Sequence, residues 1–204
     1  MTLLDRTNIT ARILLWLVIC LSTSALAENK QGAQAKNLVL STLPIASGSF
    51  VQRKYFRVLN HPIESQGVLY FDINIGLLWQ TEQPLYSALL LKQHGLFTES
   101  ATGVSQELKG ASAISQVLLN IMSGDREKLT QNFTISNSAV EHCLSLRPIL
   151  SQLAKVIDNV QLCQVNSSEI NHIVLHEHNG NRTEIELQLT PLAVLPEAVR
   201  ARLQ

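Results

Sequence analysis

Three histidines near the C-terminal end, His172, His176 and His178, occupy even positions of the stretch INHIVLHEHNG and share one face if it is a strand. Imidazoles gathered on one face invite a metal reading. In the hairpin with RTEIELQL, however, a three-residue loop at Asn179-Gly180-Asn181 sets Glu184 opposite His176 and Glu186 opposite Val174. Cross-strand His/Glu pairs on a solvated face account for that pattern without a metal. His61 and His94 stand beside turn residues and read as surface. Nucleophilic chemistry fares no better, since neither a G-x-S-x-G elbow nor a glycine-rich phosphate loop occurs. His142 adjoins Cys143, but neighbours on a strand point to opposite faces, so the imidazole is badly placed to activate that thiol. The acidic residues are scattered rather than paired. The expectation is no enzyme, no catalytic residue, no metal and no cofactor.

Cys143 and Cys163 carry a structural possibility instead. Residues 1–27 read as a cleaved signal peptide: Arg6 and Arg12 precede an apolar core, Ile13 to Leu21, and Ala25-Leu26-Ala27 is an A-x-A cleavage pattern. The apolar core is too short to span a membrane, and Cys20 follows Ile19 where lipid attachment wants a small residue. Processing near Glu28 leaves two cysteines in an oxidising compartment, an even number. A Cys143–Cys163 bond would close a loop of about twenty residues, worth about 3 kcal/mol in the chain-entropy model. Two separate buried thiols are the alternative; the bond is our expectation.

The remaining stretch, 28–204, is long enough for one domain with a substantial core. Of 16 basic and 16 acidic residues, Arg6, Arg12 and Asp5 lie in the leader. The balance stays near neutral with no basic run, which argues against a nucleic-acid partner. The chain is rich in Leu, Val and Ile and poor in aromatics, as suits a sheet-based domain.

Along the chain, Ala33 to Leu43 suits a short helix ending before Pro44. Ile45 to Ser49 reads as a small-residue turn. From Gly48 to Pro84, three alternating or apolar runs joined by short connections describe an antiparallel meander. Leu85 to Leu91 is almost continuously apolar, a strand covered on both faces or lining a cavity. Gly95 to Glu99 is a further strand. Between Ser112 and Met122 the period changes: Ile114, Val117, Leu118, Ile121 and Met122 form one helical stripe, with Ser112 to cap it and Gly124 to end it. Arg126 to Leu129 adds a helical turn, and strands follow over 132–136, 139–146 and 159–165, with a helical stretch between Pro148 and Val156. In the last hairpin the three-residue loop pairs Leu175 with Ile185 and Ile173 with Leu187, so apolar faces apolar. Glu197 to Gln204 is a short polar helix or tail. With neither repeat nor linker, one domain is expected.

The meander also carries a resemblance. The order F-x-Q-(K/R), S-x-G-x-(L/F)-x-(F/L) and G-L-x-W-x-T-x-x-P is borne by Phe50, Gln52, Arg53, then Ser65, Gly67, Leu69, Phe71, then Gly76, Leu77, Trp79, Thr81 and Pro84. It resembles the periplasmic lipoprotein carrier (LolA) family and its divergent relatives. Weaker matches are the helix–glycine–strand run Leu118 to Phe133 and the hairpin Ile173 to Leu189, in the family's order. The resemblance implies an α+β fold, a half-open, strongly curved antiparallel β-barrel with a helix lid. It implies a periplasmic carrier that holds the acyl chains of a lipoprotein or other lipid and ferries them between the inner and outer membranes. Partners would then be the acyl chains, an inner-membrane donor and an outer-membrane acceptor, met by a monomer.

The residues that would form the cavity are Phe50, Leu69, Phe71, Trp79, Leu89 and Leu91 from the sheet, with Ile114, Val117, Leu118 and Ile121 from the lid. Each is equally at home in the core of a helix-on-sheet domain. Burial of an acyl chain is worth about 0.8 kcal/mol per CH₂, so a fatty tail needs only an apolar slot, and composition alone does not separate core from pocket. Two departures bear on mechanism. The family's Arg-Pro pair before the Trp strand, whose Arg holds the lid closed, is replaced by Asp72-Ile73-Asn74-Ile75, and its aspartate-glycine turn and Trp strand by Gln93-His94-Gly95-Leu96-Phe97. The alternative from another class is a sensor or interaction module of the same fold that carries nothing and recognises a protein or lipoprotein at the membrane surface.

Overall fold

The computed structural model of the chain describes residues 43–108, 120–122, 126–165 and 170–204. The leader, the helix expected before Pro44 and most of the helix expected from Ser112 lie outside these residues. Residues 120–122, its last turn, are helical. The compact unit that contains every described residue is Ala35–Gln204.

Alternating sequence becomes one sheet. β1 (Ile45–Tyr55), β2 (Ile63–Asp72), β3 (Gly76–Gln83), β4 (Ser87–Lys92), β5 (Gly95–Glu99) and β6 (Ser105–Glu107) follow one another as a meander. α1 (Arg126–Thr130) leads into β7 (Phe133–Asn137) and β8 (Cys143–Pro148); α2 (Ser151–Ala154) precedes β9 (Ile157–Cys163), β10 (His172–Glu177) and β11 (Arg182–Pro191). α3 (Glu197–Leu203) ends the described chain. Every neighbouring pair is antiparallel, and the strand order is β6-β5-β4-β3-β2-β1-β11-β10-β9-β8-β7. Two meanders are thus joined where β11 returns to β1, and β6 and β7 are the two ends of an eleven-stranded sheet that does not close. No helix among the described residues is long and apolar enough to cross a membrane.

Several expectations shift. Ile45 to Ser49 is strand, not turn: Ala46 lies between Phe71 and Pro191, and Gly48 lies so close to the Gln188 carbonyl that a Cβ there would collide with it. Small residues here mark close strand approach. β8 begins at Cys143 rather than 139, because His142 takes a positive φ of 57° and turns the chain before it. The loop of the last hairpin is His178-Asn179-Gly180. Its length is the expected three, but the register moves by two, pairing Ile173 with Ile185 and Leu175 with Thr183. Asn181 is drawn into the ladder, its carbonyl accepting the Glu177 N–H at 3.0 Å, while its side chain accepts from Arg57 N–H. A two-residue shift preserves parity, so Ile173 still meets Ile185 on the apolar face, while Leu175 now meets the buried Thr183.

The C-terminal helix is not a polar tail. Leu195, Val199 and Leu203 recur at helical spacing and are buried against Leu78, Ala88 and Leu90. Arg202 pins it from the other side, donating to Glu99 at 2.7 Å and to Gln80 at 2.9 Å. β4 accordingly carries apolar contacts on both faces, one of the two readings its apolar run left open. Leu85, at the start of that run, falls outside the strand and is exposed.

Candidate functional site

Strand pairing decides which side chains meet. Phe50 lies across from Gly67, Leu69 from Trp79, Phe71 from Leu77, Trp79 from Leu89, and Leu77 from Leu91. Because successive residues alternate faces, Phe50, Leu69, Phe71, Trp79, Leu89 and Leu91 all stand on one face of the sheet and belong to one cluster. Phe50, Leu69, Phe71 and Leu91 are buried; Trp79 and Leu89 are half-buried.

At the centre, the Phe50 and Trp79 rings stack with centroids 4.1 Å apart and an interplanar angle of 30°. They come from β1 and β3, with β2 between them. The intervening position is Gly67, where a Cβ would collide with the Gln80 carbonyl. The glycine of the S-x-G-x-L-x-F run is therefore demanded by the bulge that sets Gln66 opposite Gln83 and Gly67 opposite Thr81.

Sequence reasoning missed part of this face. Leu187, Leu189 and Ile185 of β11 extend it, and Leu77 and Leu96 complete it on β3 and β5. The alternation of the late hairpin held that signal, but only the β1–β11 pairing places it beside Phe50. Met122 packs on this cluster, while the neighbouring Ile121 packs on a second one, formed by Leu129, Phe133, Leu144, Leu146, Val160 and Leu162. Ile173 touches both clusters, so the apolar face runs from β5 to β7. Ile114, Val117 and Leu118 lie outside the described residues.

Two of the open clefts among the described residues, of about 410 and 450 Å³, lie elsewhere. One is lined by Asn74, Lys92, His94, Phe97 and Leu203, the other by the short hydroxyls Thr134, Ser136 and Ser145 with Arg147 and Gln161. None of the six sheet residues borders either.

The opposite face is polar beyond the reach of α3. Arg53 bridges β11 and β2, 2.6 Å from Glu186 and 2.9 Å from Glu64. Glu186, then Glu64, hold the guanidinium pKa above its ordinary value by hydrogen bonding and charge. The histidine register differs from expectation: His172 faces Glu186, Val174 faces Glu184, and His176 faces Arg182. Glu184 accepts instead from Tyr55 and Arg182. His178 leaves the strand, and its Nε2 lies 3.0 Å from the Ala154 carbonyl. Among the described residues no group of three or more His, Cys, Asp and Glu gathers as a metal would require.

Cys143 and Cys163 are register partners with Cα atoms 4.1 Å apart, and their sulfurs are bonded. The Cys143 carbonyl accepts from Ser138 and the Cys163 carbonyl from Asn171. Both cysteines thus direct their backbone groups away from each other, the non-hydrogen-bonded pairing in which side chains stand closest.

The class this defines is an α+β chain with one large, open antiparallel sheet, one face apolar along its length and the other divided between a helix and a charged surface. No family model matches the sequence, and no curated protein matches it. Solved structures similar to it include a LolA superfamily protein from Nitrosomonas europaea, at 11% identity and a TM-score of 0.49 over 79% of this chain and 91% of that one. A DUF1329 family protein from Desulfovibrio piger is similar at 9% identity and a TM-score of 0.46, over 80% and 93% of the two chains. A domain from Vibrio parahaemolyticus described as an outer membrane lipoprotein-sorting protein is similar at 8% identity and 0.45, over 78% and 89%.

Proposed function

We propose that this chain is a periplasmic carrier that holds the acyl chains of a lipoprotein or other lipid against the apolar face and ferries them between inner and outer membranes. The observation that carries the reading is the continuous apolar face, with helical residues Ile121 and Met122 packed on its two clusters. In this reading the sheet is the half-open barrel and the segment ending at Met122 its lid, and the acyl chains are held by the sheet residues Phe50, Leu69, Phe71, Trp79, Leu89 and Leu91 together with Ile114, Val117, Leu118 and Ile121, the last from the side of the second cluster. Cargo enters the half-barrel cavity as the lid moves aside. Each CH₂ moved from water to that face contributes about 0.8 kcal/mol, so a long chain offsets the apolar contacts the lid gives up. Met122 suits a contact that must break and reform, being unbranched and polarisable. No catalytic step is assigned to the chain, and donor and acceptor proteins remain those the resemblance implies.

One observation favours the second reading, an interaction module that carries nothing: the burial of Phe50, Leu69, Phe71 and Leu91. A filled core is what such a module requires. Native mass spectrometry of the processed protein, beginning near Glu28 and delipidated and re-exposed to membrane extract, separates the two. A carrier retains about one acyl lipid per chain and loses it on Ile121→Glu or Leu118→Glu with melting little changed. A folded protein that takes up no lipid at any loading overturns the carrier reading. Trp79 gives a second readout, because the chain's other tryptophan, Trp16, lies in the leader. A brominated acyl chain bound on this face quenches Trp79; one bound elsewhere does not.

A further inference from the structure

Three neighbouring connections on one rim of the sheet share a composition that the apolar face does not explain. The β1–β2 connection, 56–62, reads FRVLNHP; the β10–β11 turn, 178–180, reads HNG; the β8–β9 connection, 149–156, reads ILSQLAKV. They hold Arg57, Lys155, His61 and His178, and not one Asp or Glu. Hydrogen bonds join them side by side. Arg57 N–H donates to Asn181 Oδ1 at 3.1 Å, beside the β10–β11 turn, and His178 N–H donates to the Val156 carbonyl at 3.0 Å.

These connections are aliphatic where they are exposed. Val58 is 88% exposed and Leu59 50%, with Ile149 at 55% and Val156 at 57% along the same rim. Ile63, where β2 begins beside the tip, is 52% exposed. One exposed aliphatic means little, but a group held together on one edge marks a contact surface. The tip is also held in place. Leu59 N–H donates to the Phe56 carbonyl at 3.0 Å, closing a turn with Arg57 and Val58 at its corner. Arg57 lies along Gly180, where a Cβ would stand 3.3 Å from Arg57 Cδ. The backbone therefore presents Val58 to solvent.

Within the three connections the fixed charges are the cations Arg57 and Lys155 alone. Glu177 is engaged by Lys54 at 3.1 Å, and Glu64 and Glu186 by Arg53. Asp158, at the second position of β9, is the acid that borders the three connections on that side. Arg57 and Lys155 make no ion pair among the described residues. Aliphatic tips beside cations match the boundary of an anionic bilayer, where acyl chains receive the side chains and phosphates the cations. A protein partner would more commonly be met by exposed aromatic anchors; the aromatic here, Phe56, is set back and half-buried.

We infer that this rim docks the chain on an anionic lipid surface, with Val58 and Leu59 entering the headgroup boundary and Arg57 and Lys155 lying at its phosphates. The inference stands on the rim and holds whether or not the chain carries acyl cargo. Flotation of the processed protein, which contains the whole unit Ala35–Gln204, with vesicles of phosphatidylcholine alone or mixed with phosphatidylglycerol tests it. The expected result is flotation with the mixed vesicles, much less with the neutral ones, and a decline as salt rises. Arg57→Gln lowers partitioning about fivefold, the effect of one basic residue at an anionic surface. Val58→Ser with Leu59→Ser lowers it about tenfold or more through lost CH₂ insertion. Melting stays unchanged in both, since these side chains are exposed. Flotation with neither vesicle, or flotation indifferent to the double substitution, overturns the inference. So does binding confined to native membranes, which would give the rim to a membrane protein, or a dimer that the double substitution abolishes, which would give it to a second copy. Lipid uptake in the mass-spectrometric experiment is independent of these outcomes.

Discussion

Replacing Phe50 tests the apolar face at its centre. Phe50 is 2% exposed and stacks on Trp79 at 4.1 Å. Truncation of a buried phenylalanine costs about 3–5 kcal/mol, because the removed atoms lose their transfer energy and the site collapses only partly. Gly67, between the two rings, has no side chain to fill the space, which places Phe50→Ala near the middle of that range, about 4 kcal/mol. A domain of this size loses stability at about 2 kcal/mol per molar urea, so the midpoint falls by about 2 M. Part of the loss belongs to the ring pair. A double-mutant cycle with Phe50→Leu and Trp79→Leu isolates it, with an expected coupling of about 0.5–1.5 kcal/mol. Urea titration serves as the assay, followed by Trp79 fluorescence where the tryptophan is present and by circular dichroism throughout. A midpoint shift under about 0.5 M, or a coupling indistinguishable from zero, would refute the reasoning. Either result would mean that Phe50 moves freely or that the two rings do not meet.

Three further outcomes follow from single contacts. Gly67→Ala drives a Cβ into the Gln80 carbonyl of β3; the three nearest atoms are all β3 backbone, so no flexible side chain gives way, and a loss of at least about 2 kcal/mol is expected in urea titration. Cys143→Ser with Cys163→Ser opens a loop of sequence separation 20 and lowers stability by about 3 kcal/mol, read as a fall in melting temperature matched by the wild type in reductant. Glu177 supplies a pH dependence. Burial works against its ionisation, but hydrogen bonds from Asn179 and Lys54, the Lys54 charge and a hydrogen bond from Asn181 prevail and lower its pKa below 4.5. A depressed carboxyl stabilises the fold above its unfolded pKa, and that contribution is lost as pH falls from about 4.5 through the folded value. Stability profiles of wild type and Glu177→Gln should therefore converge on acidification; parallel profiles would exclude the role.

Local chemistry makes most strands legible. Gly95–Glu99 has the bounds its sequence suggests, since a glycine opens it and the short run Leu96-Phe97-Thr98 favours a strand. Phe50, Leu69, Phe71, Trp79, Leu89 and Leu91 can be grouped from sequence alone, because parity within each strand and short connections between strands leave few ways to pair them. Expectation and fold part where a distant segment decides. Ile45 to Ser49 has the composition of a turn and becomes strand because β11 and β2 flank it on both sides. The last hairpin keeps its loop length and parity but moves by two residues, since the Asn181 side chain serves β1 and its carbonyl serves Glu177.

By itself, then, the sequence determined what depends on period and neighbours: an antiparallel, sheet-rich chain with an apolar face and, in its second half, the two cysteines Cys143 and Cys163. Tertiary structure alone decided what depends on residues far apart in the chain. It set β11 against β1, which carries Leu187 to Phe50. It turned a C-terminal segment of mixed composition into a packed helix, because Leu78, Ala88 and Leu90 needed cover on their second side. And it brought Arg57, His178 and Lys155 to one rim, a juxtaposition that spans most of the chain and leaves no local pattern.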